Sequence, residues 1–143
     1  MKKLVVLVLA AAVFAVPAAA AAAACEQVTG DFVADVVPCP GPFCTAGTLT
    51  GDLNATYAFA MTAANETPTG LTFEGASTIT LAGGTLTGSD HGHIDYVTGG
   101  FVTVVRIAGG TGAYTDAFGV IVATGDLTPT GTAGTYRGVV CTP

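Results

Sequence analysis

From Leu71 to Leu81 apolar and polar residues alternate. Leu71, Phe73, Ile79 and Leu81 fall on one face of an extended chain; Thr72, Glu74, Thr78 and Thr80 fall on the other. Period two is the signature of a strand, because successive side chains leave a pleated backbone on opposite sides. The same alternation sets Leu49 and Leu53 against Thr48, Thr50 and Asp52, and Tyr57, Phe59 and Met61 against Thr56, Ala58 and Ala60. Nowhere after residue 24 do apolar residues recur at the three-and-four spacing of a helix. Gly, Thr or Asn breaks the runs every eight to twelve residues, the rhythm of an antiparallel meander with one face buried.

Eight strands follow from this pattern, over 28–37, 45–53, 55–63, 71–82, 85–90, 100–108, 115–126 and 133–141. Short turns join most of them, which suits a sheet closed on itself. The later strands, Phe101 to Ile107 and Phe118 to Ala123, are apolar on both faces. They fit either a wall covered by a neighbouring subunit or the centre of a sandwich. The expected fold class is all-β, a single eight-stranded antiparallel barrel over 25–143, preceded by a cleaved signal peptide over 1–24.

The signal peptide rests on Lys2 and Lys3, the apolar run from Leu4 to Val16, and Pro17 followed by seven alanines. A run of about 13 residues is too short to span a bilayer core, which takes roughly 20, and no later segment resembles a membrane span. Cleavage leaves Arg106 and Arg137 against ten acids. Two cations cannot neutralise a row of phosphates, so nucleic acid and an anionic membrane surface are excluded as partners. Secreted or periplasmic localisation is expected, with a lipid anchor at Cys25 as the minor alternative.

In an exported chain the four cysteines read as two disulfides, with three pairings open. The favoured pairing closes the loop Cys39-Pro-Gly-Pro-Phe-Cys44 on itself and joins the chain ends as Cys25–Cys141. In Ile107-Ala-Gly-Gly-Thr-Gly-Ala-Tyr114, Gly109, Gly110 and Gly112 tolerate positive φ. They are read as a sharp reversal that delivers Tyr114 to the start of the next strand. A backbone anion nest is the rival reading, and it calls for a helix after the glycines.

That stretch, continued by Ala117-x-Gly119, resembles a motif of plant dirigent proteins and of bacterial secreted proteins with an allene-oxide-cyclase-like barrel. The resemblance extends to Asp90-x-Gly92-x-Ile94-Asp95 with Gly100-Phe101, and to Gly134-Thr-Tyr136-x-Gly138-x-Val140-Cys141. It covers roughly 45–141 and is sharpest over 90–141. It implies an eight-stranded barrel with an apolar cavity, trimeric in many plant relatives. Dirigent proteins steer the radical coupling of phenols, and allene oxide cyclases close a ring in an oxidised fatty acid. Both use acidic or polar groups inside the cavity. Only turn and strand-start residues match here, so no catalytic residue carries over.

Cavity candidates from the residues themselves are Tyr57, Phe59, Phe101, Arg106 and Phe118. Arg106 stands in a strand with almost no other polar group, where it could hold a ligand carboxylate or instead cover the outer wall with its stem. Glu74 has the parity of its threonine neighbours and is read as solvated. Asp90-His91-Gly92-His93-Ile94-Asp95 is read as a polar turn whose acids bond local amides. The alternative places His91, His93 and Asp95 on one face as weak metal ligands. Ser77 and Ser89 lack a nucleophile-elbow setting, and no cofactor is called for. The expected function is binding of a small apolar or phenolic ligand in the cavity, with cyclase-like or steering activity in view. The alternative is a structural or interaction protein of the cell envelope or exterior whose barrel is filled by its own side chains.

Overall fold

The computed structural model describes residues 22–143. Eight strands, β1 (Ala24–Val36), β2 (Cys44–Gly51), β3 (Ala55–Thr67), β4 (Gly70–Leu81), β5 (Gly84–Asp95), β6 (Gly100–Gly110), β7 (Phe118–Leu127) and β8 (Gly131–Thr142), pair in sequence order. All pairings are antiparallel, and β1 returns to pair with β8, closing the barrel. The leader expected over 1–24 lies outside the described residues as far as residue 21. No helix among the described residues is long and apolar enough to cross a membrane.

Period-two patterning becomes an inside and an outside. Along β4, Phe73, Gly75, Ser77 and Ile79 are buried, while Thr72, Glu74, Thr78 and Thr80 are exposed. On β6, Thr103, Val105 and Ile107 point in and Val102 and Arg106 point out. Apolar side chains therefore fill the interior and polar ones dominate the wall, the reverse of a membrane-spanning barrel.

A ring of eight strands is narrow, so large inward side chains need small ones across from them. Gly75 lies under the Phe59 ring and Gly92 under the Phe73 ring, each so close that a Cβ could not be added. Phe59 and Phe73 then meet edge to face, with centroids 5.6 Å apart.

One end of the barrel is plugged. Val28, Leu53, Leu86, Ile107, Ala117 and Val140 pack there in a buried cluster, and Leu86 has no exposed surface. The β2–β3 loop is held over this plug by Tyr136, whose hydroxyl accepts from the Leu53 amide at 2.8 Å and donates to the Thr50 carbonyl at 3.0 Å. The β6–β7 connection docks beside it on the β4–β5 turn. The Thr111 amide donates to the Thr85 carbonyl at 2.9 Å, and Ala113 donates to Gly83 at 2.9 Å. Gly112, at φ +61°, lets the backbones meet.

Gly109 and Gly110 do sit at the reversal, but Tyr114 falls in a single 3₁₀ turn, Gly112–Tyr114, and not at a strand start. The next strand begins at Phe118, three residues later than expected. The Thr111, Ala113, Tyr114 and Thr115 amides donate to carbonyls of the protein, and a strand, not a helix, follows the turn, as the reversal reading expects. The largest departure is in β5. It runs on to Asp95 and carries Asp90 to Asp95 into the wall, where the sequence suggests a turn after residue 90. Ladder pairing to β4 on one side and β6 on the other outweighs the weak strand preference of Asp-His-Gly-His.

Both favoured disulfides are present, Cys25–Cys141 and Cys39–Cys44. The first lies across directly paired positions of β1 and β8, on the seam that closes the barrel. Lipidation of Cys25 would need the sulfur that this bond occupies. Because the bond links residues 116 apart in sequence, its loss is expected to destabilise the fold by about 2–5 kcal/mol. Urea unfolding of the doubly substituted C25S/C141S chain would measure this. Tyr136→Phe leaves the buried Leu53 amide without its acceptor and is expected to cost about 1–3 kcal/mol in the same assay.

Candidate functional site

Above the plug the interior opens into a cavity of about 100 Å³. It extends toward the end that carries the Cys39–Cys44 loop and the β3–β4, β5–β6 and β7–β8 turns. Phe43, Ile94 and Leu127 line it near that end, and Leu127 is the most exposed of them. Its wall is almost wholly apolar and strongly aromatic: Phe32, Tyr57, Phe59, Phe73 and Phe101 all contribute. Phe32 stands edge-on to both Tyr57 and Phe101, with centroids 6.3 and 5.9 Å away.

Asp90 interrupts this surface. It projects inward from the middle of β5, between Gly75 of β4 and Val105 of β6, and only 2% of it is exposed. Its Oδ1 accepts a hydrogen bond from the Ser77 hydroxyl at 3.0 Å, while Oδ2 has no partner in the protein. A buried carboxylate oxygen left unpaired is costly, because desolvation penalises the charge and nothing offsets it. Burial accordingly pushes the Asp90 pKa up to about 6, against the opposing pull of the Ser77 bond and of His91.

Tyr57 is raised as well, first by burial and slightly by the Asp90 charge, with the Thr132 and Thr45 hydroxyls favouring the phenolate. Thr45, Thr103 and Thr132, all buried, complete the polar complement of the cavity. A carboxyl group pushed up to about 6 in an apolar, aromatic chamber can accept a hydrogen bond from a bound molecule or exchange a proton with it.

Among the residues singled out from the sequence, Tyr57, Phe59 and Phe101 come together in this cavity. Arg106 and Phe118 do not. Arg106 is exposed on the outer face of β6, and Phe118 is half exposed, paired with Cys141 at the start of β7. The parity of β6 decides the first: with Val105 and Ile107 inside, Arg106 must point out.

His91 and His93 also face outward. His91 pairs with Glu74 at 3.4 Å, both well exposed. Asp95 caps the β5–β6 turn, accepting from the Val97 and Thr98 amides at 2.7 and 3.3 Å. No three potential ligands converge on a metal position among the described residues. The local-amide reading thus holds for Asp95 and fails for Asp90. The missed signal was parity: Leu86, Gly88, Asp90, Gly92 and Ile94 share one face once the strand is continued.

Because the folded state holds the Asp90 proton to about pH 6, above the usual carboxylate range, the protonated form is the one the fold favours. The stability this group contributes is full below about pH 4 and is lost as pH rises through 6. Asp90→Asn is neutral throughout and should remove that dependence. Between pH 4 and 7.5 the variant is expected to gain about 2–3 kcal/mol relative to the parent chain, as read from urea denaturation at successive pH values.

Comparisons with family models, with curated proteins and with solved structures found no match, so the reading of this site rests on its own geometry.

Proposed function

We propose that this chain is an exported binding module that takes a small apolar or phenolic molecule into its barrel. The observation that carries this reading is the unpartnered Oδ2 of Asp90 in an otherwise apolar, aromatic cavity. An isolated polar acceptor in such a wall orients a ligand that carries one donor, while the rings supply contact area. The likeness to dirigent and allene-oxide-cyclase-like barrels supports the same conclusion. An acid poised near neutrality is also the kind of group that cyclase-like or steering chemistry would employ, with Asp90 as the proton-handling residue and Tyr57 beside it.

The leader and the two disulfides support a secreted or periplasmic setting. A second reading, as an interaction protein, draws on the outer wall, where Val102, Val120, Val139 and Phe118 are 41–50% exposed. That strip is also where a homo-oligomer, such as the trimer of the plant relatives, would form.

Native mass spectrometry of the protein exported by its own host tests the first reading. A co-purifying small molecule is expected, and it should disappear in Ala123→Trp, which fills the cavity from β7. A clean unliganded mass in the parent chain would favour the second reading.

A further inference from the structure

The ligand's chemistry can be narrowed, given the binding function proposed above. The cavity combines two features that act in the same direction on charge. One is the Asp90 carboxyl, with a single hydroxyl donor on one oxygen and nothing on the other. The second is the set of aromatic rings that line the space, Phe32, Tyr57, Phe59, Phe73 and Phe101, each with a quadrupole that is negative over the ring plane. No cationic side chain among the described residues lines the space: Arg106, Arg137 and His91 all stand on the outer wall. An acid among several aromatic rings, with no cationic side chain beside it, makes a chamber complementary to a cation.

We propose that the barrel selects small primary amines with an apolar body, the ammonium group donating to Asp90 Oδ2 and the body lying among the aromatic rings. Size follows from volume. A cavity of about 150 Å³ takes up benzene, so about 100 Å³ limits the enclosed part of a ligand to at most one ring or a short alkyl chain, the remainder extending through the open mouth. A long-chain lipid would not be enclosed. Discrimination against a neutral isostere follows because an alcohol can satisfy the oxygen but cannot neutralise a carboxylate cut off from water. A protonated amine does both.

The test is isothermal titration of the disulfide-intact protein with benzylamine and with benzyl alcohol, at pH 7.5. Benzylamine is expected to bind at least tenfold more tightly. Asp90→Asn should bring the two ligands to within about twofold, while Ser77→Ala, which keeps the carboxylate, should preserve the preference. Lowering the pH of the parent chain through 6 should shrink the preference without any substitution, so the idea remains testable if Asp90→Asn does not fold. Tyr57 on β3 is the other titratable group that feels the Asp90 charge from inside the barrel, and it stays neutral over this range. His91 lies outside. Benzyl alcohol binding as tightly as benzylamine would overturn the amine assignment and leave the binding module standing. Failure of both ligands to bind would overturn the two together.

Discussion

Closure of the sheet between β1 and β8 is the constraint on which everything else rests. An open meander of this length would leave two edges of unpaired amides and carbonyls, exposed to other chains. Pairing Ala24–Asp35 with Gly131–Thr142 removes both edges at once, and the Cys25–Cys141 bond fastens the far end of that pairing. With closure, each strand acquires an inner and an outer face. The alternation of side chains along the sequence then becomes a division between interior and wall.

The narrowness of the ring sets the interior chemistry. Inward glycines on β4 and β5 admit the Phe59 and Phe73 rings, and the plug beneath is built from aliphatic side chains pressed against the β2–β3 and β6–β7 connections. What remains between is a space too small for a long ligand and too apolar to solvate an idle charge. Asp90 is kept there despite the cost of its burial. A structural role would be better served by an apolar residue of similar size, since replacing buried charge by packed apolar groups is commonly neutral or stabilising. Its burial beside Ser77, with Oδ2 unpartnered, is the observation on which the proposed binding function rests.

Outer and inner walls divide the remaining charge. Arg106, Arg137, His91 and Glu74 sit outside, where water screens them and where the His91–Glu74 pair contributes little to stability. The cavity has one carboxyl group, Asp90, and among the described residues no cationic side chain lines it. At the end that carries the Cys39–Cys44 loop, Phe43, Ile94 and Leu127 give the cavity an apolar lining.

Sequence alone determined the class of fold, the count of strands and the shared face of Tyr57 and Phe59, and it favoured one of three cysteine pairings, which the folded chain then selected. Each of these follows from local rules: period two, turn residues, and the closeness of Cys39 to Cys44 along the chain. Tertiary structure decided where β5 ends, that Asp90 points in, and that Arg106 and Phe118 point out. The limit is physical. Asp-His-Gly-His has poor strand propensity and reads as a turn until β4 and β6 pair with it on both sides. That pairing exists only in the closed sheet, and it turns a polar stretch into one buried acid and two exposed histidines.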